Sequence, residues 1–128
     1  MTASSLDPPI TDLVAVEVSG SGPVVCVTAV GEIDSTSSPV LRQQLDSLLD
    51  GDVREITVDL GQVTFLDSAG LCVLAAAHRR AVRQDVAMRV LASSRAVIRP
   101  LQITGLWDLL KAEQVDASPT VRTQQGVA

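Results

Sequence analysis

Aromatic residues are almost missing from this chain: Phe65 and Trp107 stand alone among 128 residues, with no tyrosine. A stacking platform for single-stranded nucleic acid needs several aromatic faces, so that class of function is excluded. Basic residues are also outnumbered, 10 Lys and Arg against 15 Asp and Glu, for a formal net charge of -5. Nucleic acid and anionic membrane both call for a basic face, and neither is expected as a partner. The nearest approach to such a face is Arg79, Arg80 and Arg83 on one expected helix, which reads as a solvated helix face. Cys26 and Cys72 are the only cysteines, too few for a disulfide scaffold. No apolar run approaches the roughly 20 residues of a membrane span, and the N-terminus has neither a basic nor an apolar leader segment. A soluble, cytoplasmic, single-domain protein is expected.

What the chain does have is aliphatic material. It is 46% hydrophobic and 20% charged, enough for a core built from Val, Leu, Ile and Ala. Residues 1–12 carry Ser4, Ser5, Pro8 and Pro9 and read as a flexible lead-in. From Leu13, Val14, Val16 and Val18 alternate with polar or small residues, the period of a strand with one buried face. Gly20-Ser21-Gly22-Pro23 reads as a turn, and Val24 to Val30 as the second strand of an antiparallel hairpin. Ser38 is the expected cap and Pro39 the first position of a helix whose apolar face holds Leu41, Leu45, Leu48 and Leu49.

Ile56, Val58 and Leu60 alternate as a third strand, and residues 61–67 read as a loop. A second helix begins at Ser68, with Leu71, Leu74, Ala75, His78 and Val82 expected on one stripe. Val86 to Leu91 is a further strand. Ser93-Ser94 read as the cap of a third helix, which Pro100 is expected to kink or shorten. Thr104-Gly105 breaks it before a last short helix from Leu106 to Leu110. The expected domain spans 13–115, with a frayed tail over 116–128. The order β-β-α-β-α-β-α-α implies an α/β fold with right-handed crossovers, its mixed sheet covered largely on one side by helices.

Enzyme chemistry finds little support. The single histidine, His78, lies about 15 Å along the helix from Ser68, out of hydrogen-bond reach, and reads as a helix-face residue near the core. Cys26, Cys72 and His78 lack metal-ligand spacing, and neither phosphate-loop nor dinucleotide glycine patterns occur, so no metal or cofactor is expected. Glu32 and Asp34 read as a solvated strand end. The unusual segment is Phe65-Leu66-Asp67-Ser68-Ala69-Gly70-Leu71, where a strand passes into a helix. Asp67 and Ser68 compete for the cap, and Gly70 lets the first turn pack closely. A cap-only role explains these residues. So does an anion site, since free N–H groups and the helix dipole favour a phosphate on Ser68.

The combination of four stretches resembles the STAS family, specifically the bacterial anti-sigma-factor antagonists: Gly31-Glu32-Ile33-Asp34, Ile56-Thr57-Val58-Asp59-Leu60, Phe65 to Leu71, and Ala96-Val97 through Thr104-Gly105-Leu106. The resemblance implies a partner-switching protein. Its unphosphorylated form binds an anti-sigma factor that is also a serine kinase, freeing a sigma factor for transcription of stress-response genes. Phosphorylation separates the complex, and a serine phosphatase resets it. Carried over by position, Ser68 is the phosphoacceptor, Asp67, Ala69 and Gly70 shape its loop, and Asp34 is expected beside it on the partner surface. Ala69 stands where many relatives carry a second serine, and Pro100 is unusual inside the third helix.

Three other readings stay open. A STAS module of a lipid-transport or stress-signalling assembly would use Ser68 only as a cap. An enzyme would need a base near a nucleophile. A nucleotide binder would need a phosphate cradle beyond one helix end. Cys26 and Cys72 invite a redox role, against the simpler reading of two small buried side chains.

Overall fold

A computed structural model describes residues 14–115. The lead-in expected over 1–12, Leu13, and the tail expected over 116–128 lie outside the described residues. Strands β1 (Val14–Ser21) and β2 (Val24–Ile33) form the hairpin. There follow α1 (Ser38–Leu49), β3 (Glu55–Leu66), α2 (Ser68–Arg83), β4 (Ala87–Ala92), α3 (Arg95–Ile103), the short α4 (Leu106–Leu109) and a two-residue edge strand, β5 (Glu113–Gln114). The sheet order is β1-β2-β3-β4-β5. Among the described residues only the β1/β2 pairing is antiparallel, and the remaining pairs are parallel. This is the mixed α/β sheet that the order of elements implied, extended at one edge by β5.

The alternation of the sequence explains which face is covered. Val25, Val27 and Ala29 on β2 are buried, as are Ile56, Val58 and Leu60 on β3 and Met88, Val90 and Ala92 on β4. Against them lie Leu41, Leu45 and Leu49 of α1, Val73, Leu74, Ala77 and Ala81 of α2, and Val97, Ile98 and Leu101 of α3. Cross-strand partners share a face, so Cys26, Thr57 and Arg89 line the opposite side together, beside Thr28, Asp59 and Leu91.

The structure departs from the expected stripe of α2. Val82 is 63% exposed, and the buried line runs through Gly70, Val73, Leu74, Ala77 and Ala81. Small residues at 77 and 81 let α2 lie close to the sheet, whereas the larger Leu71 and His78 sit half-buried at its flank. Pro100 neither ends nor shortens α3 at its own position, because the helix continues to Ile103.

The largest difference concerns residues 61–66, which continue β3 rather than forming a loop. Register shifts between Thr28 and Val30 and between Gly31 and Glu32 each leave one extra residue on β3. Leu60 and Gly61 therefore both point inward, and Thr64 and Phe65 both point outward. Two such bulges break the period of two without ending the strand. The bulged stretch is held from the side. Asp59 accepts the Gly61 N–H at 2.8 Å, and the hydroxyls of Ser93 and Ser94 donate to the Gly61 and Val63 carbonyls. Those two serines were expected to cap α3, but neither side chain does so.

Candidate functional site

Pairing of Ile33 with Leu66 brings the C-terminal ends of β2 and β3 together, so Asp34 and Asp67 leave the sheet side by side. The Asp67 N–H donates to the Ile33 carbonyl at 3.1 Å and ties the two junctions. In open α/β sheets this carboxyl end is where loops are free to recognise partners.

Asp34 organises the first junction. Its Oδ1 accepts the N–H groups of Thr36 at 2.9 Å and Ser37 at 3.0 Å, and its carbonyl accepts the Ser38 N–H at 2.8 Å. Asp-x-x-Ser is a turn-forming spacing, because short polar side chains bond the backbone just downstream. Ser37 is fully buried. Its hydroxyl donates to the Glu32 carbonyl at 2.7 Å and accepts the Asp34 N–H at 2.9 Å. The expected cap, Ser38, is instead the first residue of α1; Ser37 holds the cap position without a side-chain cap bond. The Ser37 N–H above all holds the Asp34 carboxyl below its ordinary pKa; partial burial opposes this, and the Thr36 N–H and Ser37 hydroxyl reinforce it. Glu32 joins this knot only through its carbonyl, and the residue is exposed.

Asp67 organises the second junction. It takes the N-cap of α2 in extended backbone, and its Oδ1 accepts the N–H groups of Ala69 at 2.9 Å and Gly70 at 3.3 Å. The competition between Asp67 and Ser68 is thus decided. Ser68 is the first helical residue, exposed, and its hydroxyl makes no hydrogen bond to the described residues. Donors expected to be free for an anion are not all free: those of Ala69 and Gly70 are occupied by Asp67, and the Leu71 N–H by the Asp67 carbonyl.

Gly70 fixes how closely this turn docks. A Cβ there would meet the Leu66 side chain and lie 2.8 Å from Ile33 Cγ2, both buried. Gly70 thereby seats α2 on the ends of β2 and β3. Ala69 is half-buried beside it, and Phe65, 46% exposed, stands with Glu32 at the rim through their cross-strand pairing. Phe65 was read as part of a loop, and it is the second bulge that turns it to solvent.

The cysteines lie apart. Cys26 is half-buried on the sheet face away from the helices, 3.8 Å from Thr28 Oγ1, and Cys72 is exposed on α2. Neither is fully buried, contrary to the simpler expectation, and the sheet stands between them. Among the described residues no three His, Cys, Asp or Glu side chains converge as metal ligands. No described helix is long and apolar enough to cross a membrane.

The domain thus packs its helices on a mixed sheet and presents an exposed serine at the start of its second helix. The STAS domain family model matches residues 15–123, and the chain belongs to that family. It is 33% identical over 84 residues to the anti-sigma-B factor antagonist of Bacillus subtilis, covering 66% of this chain and 76% of that protein. It is 30% identical over 95 residues to the anti-sigma-F factor antagonist RsfB of Mycobacterium tuberculosis, covering 74% of this chain and 77% of that one. Among solved structures, an anti-sigma factor antagonist from Mycobacterium paratuberculosis superposes with a TM-score of 0.73 at 29% identity, covering 80% of this chain and 87% of that chain.

Proposed function

We propose that this protein is a cytoplasmic anti-sigma-factor antagonist that switches partners through phosphorylation of Ser68. Unphosphorylated, it binds an anti-sigma factor with serine kinase activity and so releases a sigma factor. The kinase modifies Ser68, the complex separates, and a serine phosphatase restores the binding form. One observation carries this reading: Asp67 caps α2, which leaves the Ser68 hydroxyl exposed and without a structural duty. A serine kept only as a cap would spend its oxygen on the helix.

The physics of the switch follows. Phosphate adds roughly -1.5 to -2 charges at residue 68. Asp34 and Asp67 already make that junction acidic, and burying a further anion against a partner without matching cations carries a large desolvation cost. Each roughly 1.4 kcal/mol is tenfold in affinity, so one modification lowers binding by orders of magnitude. Asp34, Asp67 and Ala69 form the partner surface around Ser68, with buried Gly70 seating the turn beneath them, and Cys26 and Cys72 act as independent thiols.

The test is capture from the native cytosol with wild type, Ser68→Ala, Ser68→Glu and enzymatically phosphorylated wild type as baits. Retention of one ATP-binding kinase by the first two and its loss from the last two is the expected result. Equal retention of transporter or scaffold proteins by all four baits overturns the switch and favours a STAS module without phosphorylation.

A further inference from the structure

Four of the chain's 10 basic residues gather at one place away from Ser68. A groove of about 270 Å³ between α1 and α2 is lined by Arg42, Arg79, Arg80 and Arg83, and its floor includes Leu45, Val73 and Ala77. Asp46 is the only acidic residue in the lining, so the groove carries an excess of three positive charges on a chain whose formal charge is -5.

These arginines are not equivalent. Arg80 is committed: one of its terminal nitrogens lies 3.6 Å from Asp46, the other bonds Asp50, and its Nε donates to Gln84 at 2.7 Å. That arrangement ties α2 to α1 and neutralises Asp46. Arg42, Arg79 and Arg83 are exposed and make no ion pair among the described residues. A basic last turn favours the helix dipole, which accounts for Arg83 on α2. It does not account for Arg42, which lies in the N-terminal half of α1, where a cation gains nothing from the dipole. Three uncommitted guanidinium groups from two helices thus face a floor of aliphatic side chains.

We propose that this groove binds an acidic segment of a partner polypeptide, its carboxylates paired with Arg42, Arg79 and Arg83 and its apolar side chains laid on Val73, Ala76 and Ala77. Guanidinium groups suit carboxylates because they offer paired donors in a fixed fork. Ala76 and Ala77 keep the floor shallow enough for a backbone to approach. Duplex nucleic acid is the poorer occupant: it presents a charge about every 1.7 Å along an extended rod, whereas the basic patch is short and the rest of the surface is acidic. Arg79 lies about 16 Å along α2 from Ser68, so the groove is separate from the phosphorylation switch and survives its failure.

The test is a titration of the full-length protein with a short fluorescein-labelled peptide of alternating aspartate and leucine, read by anisotropy and by amide NMR shifts. Saturable binding that weakens in high salt, with shifts at Ala76 and Ala77, is expected. Arg79→Glu with Arg83→Glu is expected to weaken it about tenfold or more, and Arg79→Lys with Arg83→Lys to retain most of it. Arg42→Gln, on the other helix, is an independent check. Absence of saturable binding, or equal binding by the charge-reversed variant with an unchanged circular dichroism spectrum, overturns the proposal. So does tighter binding of duplex DNA, inorganic pyrophosphate or phosphatidylglycerol vesicles than of the peptide.

Discussion

Asp67 caps α2 in place of its neighbour Ser68: the Asp67 carboxylate accepts the Ala69 N–H at 2.9 Å, and the serine stands outside the capping network. The two residues therefore separate in mutation. Asp67→Ala is expected to cost about 1 kcal/mol, the usual loss for a removed cap. Ser68→Ala, an exposed change, stays within about 0.5 kcal/mol of wild type. Asp67→Asn keeps the acceptor and most of the stability. Urea unfolding midpoints check this, and an equal loss from Ser68→Ala and Asp67→Ala would reverse the assignment.

Gly70→Ala tests whether the close seating of α2 outweighs helix propensity. In an open helix, alanine for glycine gains about 1 kcal/mol. Here the new Cβ meets Leu66 and Ile33, whose side chains are buried and have little room to shift. Overpacking of this kind costs about 1–3 kcal/mol, so a net loss of stability is expected. Thermal unfolding reads it directly, and a raised midpoint would mean that the junction relaxes freely.

The first junction should keep its Asp34 contribution until strong acid. The Asp34 carboxyl is held below its ordinary pKa, chiefly by the Ser37 N–H. A depressed folded-state pKa contributes stability that is full above the unfolded value and is lost as pH falls through the folded one. In a series of unfolding measurements below neutral pH, wild type is expected to lose this contribution only in strong acid. Asp34→Asn, which keeps the turn's acceptor but cannot titrate, lacks that part of the acid slope. Identical slopes for the two proteins would remove Asp34 from the account.

The thiols offer a simpler check. Cys72 is exposed and Cys26 half-buried on the other side of the sheet. Cys72 is expected to react first with iodoacetamide, and mild oxidant to leave the monomer free of an internal disulfide. A mass loss of two hydrogens after oxidation would contradict the arrangement.

Much of the architecture was legible because β-branched residues alternate in Val14–Val18, Val24–Val30 and Ile56–Leu60, and leucines recur at helical spacing in α1. The extension of β3 was not, since its bulges break alternation at Leu60-Gly61 and Thr64-Phe65 while the backbone stays extended. Ser93 and Ser94 misled for a related reason: two serines before a helix resemble a cap, yet β3's bulged carbonyls claim their hydroxyls. The motif Phe65–Leu71 located the candidate site, but composition alone could not choose between Asp67 and Ser68 as cap. The α1/α2 groove was invisible, because Arg42 joins Arg79 and Arg83 only after the helices pack.

Phosphorylation joins these features in one last expectation. The sequence suggested that free N–H groups would receive a phosphate on Ser68, but Asp67 already holds the Ala69 and Gly70 donors. The helix dipole still favours an anion there by about 0.3–1 kcal/mol. Repulsion from the Asp67 carboxylate opposes it with a magnitude on the order of 1 kcal/mol at close range in water. The two nearly cancel, so phosphorylation is expected to leave the unfolding free energy almost unchanged while partner binding collapses. Asp67→Asn removes the repulsion and keeps the dipole. Phosphorylation of that variant should therefore stabilise it relative to its own unmodified form, a coupling that a double-mutant cycle isolates. If phosphate has the same effect on stability with aspartate or asparagine at 67, the phosphate points away from the cap and the switch acts wholly through the partner's surface.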